Sequence, residues 1–180
     1  MKKLMSVILA VLVAMTISAT KKKPKGTAVS KGNLWMTGAV NLSSFSGDLG
    51  ISCLMLGSSG VYFVIDHLGV GGVLSFINLD DKDDFYDLNY LNLAGKVIYA
   101  FDNFAKSKFY PYAGASLGFG SIGDGDSESG FVFWMGGGMN YLLGKHIGIL
   151  AELGYYSASL GDIDYSGLIL QAGLTGVFKP

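Results

Sequence analysis

Leu91-Asn-Leu-Ala-Gly-Lys-Val-Ile-Tyr-Ala-Phe101 decides the fold. Every second residue (Leu91, Leu93, Gly95, Val97, Tyr99 and Phe101) belongs to an apolar row. The residues between them (Asn92, Ala94, Lys96, Ile98 and Ala100) are smaller or more polar. A two-residue period puts the rows on opposite faces of an extended strand. The stretch has no 3.6-residue apolar period, so it does not read as an amphipathic helix.

The same alternation recurs on either side. Leu34, Met36, Gly38, Val40 and Leu42 oppose Trp35, Thr37, Ala39, Asn41 and Ser43. Ile147, Ile149, Ala151, Leu153 and Tyr155 oppose Gly148, Leu150, Glu152, Gly154 and Tyr156. Leu168, Leu170, Ala172, Leu174 and Phe178 oppose Ile169, Gln171, Gly173, Thr175 and Val177. From Ser52 to Val64 either parity serves. Turn residues bound the segments and predict strands at 33–45, 51–65, 68–78, 87–101, 109–121, 130–142, 147–158 and 166–178. Most are near the roughly ten residues that cross a membrane as a tilted strand.

A soluble sandwich also alternates, but it turns charged residues to water. Here Lys96 and Glu152 are almost the only charges inside the strands. A water-facing surface so poor in charge would be sticky. An apolar face toward lipid and a small, mildly polar face toward a narrow lumen fit better. Closure follows, because an open sheet edge in hydrocarbon leaves backbone groups unpaired. The predicted class is all-β: an eight-stranded antiparallel up-and-down transmembrane β-barrel. A soluble periplasmic ligand-binding barrel is the class-level rival.

Composition agrees. The chain has 180 residues, 27 of them Gly, with 11 Phe, 10 Tyr and only 3 Pro. High glycine with many aromatics points to β-structure with close backbone contacts. The net charge is −1 and arginine is absent, so no basic footprint for nucleic acid exists. A lone Cys53 excludes an internal disulfide and a cysteine-based metal site.

The N-terminus reads as a targeting segment. Lys2 and Lys3 precede an almost wholly apolar run from Leu4 to Ile17, then Ser18, Ala19 and Thr20. That is the pattern of a cleaved signal peptide over residues 1–20. Residues 21–32, with Lys21, Lys22, Lys23, Lys25 and Lys31, read as a basic flexible linker. The barrel domain then spans 33–180.

The connections differ in chemistry from one end to the other. Asp48, then Asp80, Asp81, Asp83, Asp84 and Asp87, then Asp124, Asp126 and Glu128, then Asp162 and Asp164 fall in one set. The other set is short and lightly basic: Asp66–His67, Asp102 to Lys108, and Lys145–His146. A meander with an even strand number puts alternate connections on one end, which produces this segregation. The acidic set is expected outside the cell and the short set in the periplasm. Aromatics near the strand ends, among them Phe76, Phe119, Phe131, Tyr99, Tyr141 and Phe178, resemble two interfacial girdles.

Three stretches resemble a known family. Gly60-Val-Tyr-Phe-Val-Ile-Asp-His-Leu-Gly-Val-Gly72 looks like the second hairpin of small outer-membrane barrels. Tyr110-Pro-Tyr-Ala-Gly-Ala-Ser-Leu-Gly118 looks similar, as does Gly136 to Leu143 followed by Ile149 to Tyr155. The chain resembles the outer-membrane protein A and X type of eight-stranded barrel over nearly all of its mature length. The resemblance implies the fold and a bacterial outer-membrane location; it implies little about activity.

Chemical motifs are weak. Gly118-Phe-Gly120-Ser-Ile-Gly123 matches G-x-G-x-x-G, but an acidic loop follows where a dinucleotide site needs a helix. Asp124, Asp126 and Glu128, with Asp162 and Asp164, do not have the spacing of an EF-hand. His67 and His146 show no Ser–acid companion along the sequence, so a membrane-embedded lipid-modifying enzyme is only an alternative. No catalytic, cofactor-binding or metal-binding residue is assigned.

The residues singled out are Lys96 and Glu152. A lone charge in a narrow lumen is costly, so both are expected to point inward and pair, as a structural lumen polar pair. Trp35, Trp134, Tyr110, Tyr112 and Tyr156 are expected to fill the same space. The expected function is therefore a non-enzymatic outer-membrane barrel with a structural or surface-interaction role. A narrow channel or carrier for small solutes is the other alternative. The expected partners are outer-membrane lipid and an extracellular partner met by the acidic loops. A monomer without a cofactor is expected.

Overall fold

Each strand of this sequence is apolar on one face, and its backbone must find partners on both edges. The solution seen in the computed structural model is a closed barrel. The structure describes residues 27–47, 52–79, 88–102, 104, 108–124 and 126–179. The signal peptide expected at 1–20 and the acidic stretches at Asp48 and Asp80 to Asp87 lie outside the described residues.

Eight strands follow in order: β1 (Leu34–Gly47), β2 (Ser52–Ile65), β3 (Leu68–Leu79), β4 (Leu88–Ala100), β5 (Phe109–Asp124), β6 (Asp126–Leu142), β7 (Ile147–Leu160) and β8 (Ile163–Phe178). Each pairs antiparallel with its sequence neighbour, and β1 closes on β8 from Leu34↔Phe178 to Gly47↔Tyr165. No sheet edge remains along the strands, as a hydrocarbon surround requires.

The two faces sort by the two-residue period. Large apolar side chains are exposed on the outer wall of all eight strands, for example Met36, Leu56, Leu74, Leu93, Leu117, Phe133, Leu153 and Leu170. The inner face holds Trp35, Val61, Phe63, Tyr90, Tyr112, Trp134, Leu150, Tyr156 and Ile169, all buried. In β2 the odd-numbered row (Met55, Val61 and Phe63) faces inward.

Strand ends depart from expectation at the acidic end. β5 and β6 pair as far as Asp124↔Asp126, and β7 and β8 as far as Leu160↔Ile163. The hairpins thus extend into the connections expected at 122–129 and 159–165. Backbone hydrogen bonds propagate a hairpin whether or not its side chains keep an apolar face. Gly161 takes the left-handed turn position (φ +58°), and its amide donates to the Ser129 carbonyl at 3.2 Å. The β7–β8 tip is thereby tied to β6.

The short turns at the opposite end repeat one device. His67, Lys108 and His146 immediately precede β3, β5 and β7. Their carbonyls accept from the amides of Ala100, Leu142 and Val177 at 2.8, 2.9 and 2.7 Å. Each turn residue thus lengthens the ladder to the next strand. His67 and Lys108 do so with left-handed backbones, φ +72° and +62°.

Residues 27–32 differ from the solvated linker expected for 21–32. Thr27 to Gly32 fold into the short-turn end of the barrel. Val29 is wholly buried, and its carbonyl accepts from the His67 amide at 2.9 Å. The Trp35 indole donates to the Ala28 carbonyl at 3.1 Å, and the Lys31 amide donates to Asp66 at 2.6 Å. An apolar pair, Ala28 and Val29, seals exposed rings of the barrel mouth, which outweighs the entropy of a free tail.

Candidate functional site

The closed barrel encloses a lumen, and its side chains stack in three tiers. The tier at the short-turn end joins Ala28 and Val29 to Trp35, Phe63, Ile98, Tyr110, Tyr112, Leu142, Leu150 and Val177. Trp35 meets Phe63 edge-on at 5.0 Å and Tyr112 at 6.1 Å between ring centres. The tier at the acidic end contains Met55, Tyr90, Ile122, Val132, Trp134, Tyr156, Leu160, Tyr165 and Ile169. Tyr156 stacks on Tyr165 at 6.0 Å, and its hydroxyl hydrogen-bonds that of Tyr90.

Glycines make room for these rings. A Cβ at Gly138 would lie 2.7 Å from the Tyr112 ring, and one at Gly154 would collide with the Trp134 indole. Eight strands leave an interior just wide enough for side chains, so each large inward ring needs a missing one beside it.

Between the apolar tiers is a polar one. Lys96 of β4 and Glu152 of β7 come from well-separated strands and meet as an ion pair across the lumen. Both side chains are buried, and the Lys96 ammonium sits 4.7 Å from the centre of the Trp134 ring. That position adds a cation–π attraction to the carboxylate. Thr37 and Thr175, paired across β1 and β8, join their hydroxyls at 3.2 Å inside the barrel. Beside the pair is a chamber of about 40 Å³ lined by Asn41, Ser75, Asn92, Ser116, Trp134 and Gln171 among others.

The remaining motifs have structural settings. Gly118 and Gly120 lie on β5 against Ala94 and Val132, with a strand following where a dinucleotide site needs a helix. The His67 imidazole places Nδ1 3.0 Å from the Ala100 carbonyl and Nε2 3.7 Å from Asp102. The acid neighbour lies 35 positions along the chain, too far for local spacing to reveal. His146 Nδ1 lies 3.1 Å from the Val177 carbonyl. Among the described residues no three His, Cys, Asp or Glu side chains gather where they could hold a metal ion. Sequence reasoning did not find the cap at Ala28 and Val29, or the meeting of Asn41 and Asn92 at one chamber. The apolar pair amid lysines was the only signal for the first.

A closed eight-stranded antiparallel meander, apolar outside and filled inside, defines the class of small transmembrane β-barrels. Residues 7–178 match the family model described as the outer membrane protein beta-barrel domain, and the chain belongs to that family. It is a bacterial outer-membrane protein by that membership. Its fold is similar to that of Neisserial surface protein A (TM-score 0.69, 18% identity), covering 82% of this chain and 100% of that one. It is also similar to the N-terminal β-barrel domain of Pseudomonas aeruginosa OprF (TM-score 0.56, 17% identity, 82% and 98% covered). OprG of the same organism is comparable (TM-score 0.56, 16% identity, 86% and 100% covered). No curated protein sequence matches. At these identities the likeness concerns the fold alone.

Proposed function

We propose that this chain is a non-enzymatic outer-membrane barrel with a structural or surface-interaction role, seated as a monomer in outer-membrane lipid. The observation that supports this reading is the filled lumen. Apolar tiers close both ends, and the polar tier between them holds a chamber of only about 40 Å³. A solute path needs continuous polar lining, and a hydrated ion crossing either tier would shed most of its water at several kcal/mol.

The acidic end is assigned to the cell exterior. Glu128, Asp162 and Asp164 are exposed there, on hairpins stiffened by pairing to their tips. Such a rim attracts cationic partners and repels acidic ones, nucleic acid included. Both His67 and His146 have Nδ1 against a backbone carbonyl, which suits turn locking better than proton transfer.

Reconstitution into planar bilayers tests the proposal. The expected record matches the bare bilayer. Reproducible stepwise conductance proportional to voltage would replace this reading with a narrow channel.

A further inference from the structure

Four exposed lysines surround the short-turn mouth. Lys31 lies in the cap, Lys108 and Lys145 in the connections before β5 and β7, and Lys179 directly after β8. The two described carboxylates at that end, Asp66 and Asp102, are half-buried and engaged. Asp66 accepts from the Lys31 amide, and Asp102 lies 3.7 Å from His67 Nε2. Among the described residues, the ammoniums of Lys31, Lys108 and Lys145 meet no carboxylate. The opposite end exposes Glu128, Asp162 and Asp164. The barrel is thus polarised along its axis, and the basic rim favours a partner of negative charge.

Depth selects among anionic partners. An outward belt of rings lies just inside the lysines. Tyr62 and Phe178 flank Leu34 in one ladder row, and Tyr141 pairs with Phe109 in another. Exposed rings at strand ends mark the boundary between hydrocarbon and headgroups. Lys179 and Lys108 are each one residue beyond a belt ring, Phe178 and Phe109. Lys31 precedes Leu34 by three residues, and Lys145 follows Tyr141 by four. At roughly 3.3 Å per residue, all four lie within about 13 Å of the belt. The headgroup layer of a leaflet is about 5–8 Å deep, and a lysine stem can lean to keep its ammonium there. Two of the four are also held in place. The Lys108 carbonyl accepts from the Leu142 amide at 2.9 Å, and the Leu143 and Gly144 amides both donate to the Ile147 carbonyl, at 3.0 and 3.2 Å. Lys108 and Lys145 therefore stand on fixed backbone beside the same strand end, that of β6.

We propose that the short-turn rim binds anionic phospholipid headgroups, with Lys108 and Lys145 as the anchors and Lys31 and Lys179 completing the ring. The ammoniums meet the headgroup phosphates while the rings beneath them hold the chains at the hydrocarbon boundary. The carboxylates of the acidic end repel the same lipids, so the charge pattern favours one leaflet. In the cell that leaflet is the periplasmic one, by the orientation proposed above.

The probe is phosphatidylglycerol with a nitroxide near its headgroup, a minor component of phosphatidylcholine nanodiscs that hold the intact chain. Amides of Phe109 and Ile147 are expected to broaden more than those of Ser129 and Ile163 at the acidic end. Phosphatidylcholine carrying the same label is expected to broaden both ends alike. A lysine near an anionic surface contributes about a five-fold preference at low salt. Lys108→Gln combined with Lys145→Gln is therefore expected to lower the preference for phosphatidylglycerol over phosphatidylcholine by about five-fold or more. Salt at about 1 M, where the Debye length is roughly 3 Å, is expected to weaken it as well. The wild-type comparison of the two ends needs no variant, so a folding failure does not blunt it. Equal broadening of both ends by the anionic lipid overturns the proposal, as does the same end preference for labelled phosphatidylcholine. Displacement by inorganic phosphate, but not by chloride at equal ionic strength, identifies a free-phosphate site and also overturns it. Both ends meet the probe in a nanodisc, and conductance is not read, so failure here is distinguishable from failure of the orientation or of the sealed barrel.

Discussion

The charges at Lys96 and Glu152 are stable only together. Each is buried, and each would strand the other if removed. Breaking a buried pair from one side costs about 3–5 kcal/mol, whereas replacing both sides is often close to neutral. Lys96→Met and Glu152→Gln are each expected to lower the unfolding free energy by about that amount, and the double variant by less than their sum. Urea unfolding in lipid vesicles, read by the mobility difference between folded and unfolded bands on unheated gels, measures all three. Additive losses would mean the two side chains do not cooperate. Part of this site is visible in the residues themselves, since apolar neighbours at Gly95, Val97, Ala151 and Leu153 leave only the inner face for a charge. The Trp134 ring beside Lys96 is not visible, because strand parity gives a face but no depth. Nor is the chamber, whose two asparagines lie 51 positions apart on β1 and β4.

At the scale of the strand, the two-residue period carried most of the information, and it failed where its premise failed. β2 reads in either parity because Val61 and Phe63 belong to the short-turn tier while Leu56 and Tyr62 face outward. Both rows are then apolar, and the period vanishes. The hairpins outrun the predicted boundaries at 121, 130 and 166 because ladder hydrogen bonds do not depend on side-chain polarity. Thr27 to Gly32 have no period at all, so their packing depends on what the barrel mouth offers them. Faces also decide what a glycine is for. Gly154 of β7 looks inward at Trp134, whereas a Cβ at Gly60 of β2 meets nothing within 4 Å. Gly60 lies in a groove of about 400 Å³ on the outer wall, together with Gly38, Ser58 and Gly72. Gly154→Ala is expected to cost about 1–3 kcal/mol through overpacking. Gly60→Ala is expected to be neutral, or to stabilise by up to about 1 kcal/mol through reduced chain entropy. The same unfolding measurement separates them, and equal losses would refute the distinction between the faces.

Over the whole molecule, closure and sealing have separate physical origins. Closure comes from the ladder, complete from β1 round to β8. Sealing at the short-turn end comes partly from six residues outside it, which touch the barrel through Val29, Ala28 and the Lys31 amide. A barrel held by its ladder should survive loss of this cap, because every strand keeps both neighbours. Val29→Asp tests the separation by placing a charge where Val29 is fully buried. A buried unpaired carboxylate is costly enough to expel the segment instead of being tolerated in place. The expected result is a variant that still fractionates with membranes and still shifts on unheated gels. Amide exchange should quicken at His67 and indole exchange at Trp35, whose acceptors are the carbonyls of Val29 and Ala28. Amides in the centre of β4 and β7 should keep their protection, since their partners lie in the ladder. If protection instead falls uniformly across all eight strands, the cap belongs to the cooperative unit of the barrel, and sealing and closure are one process.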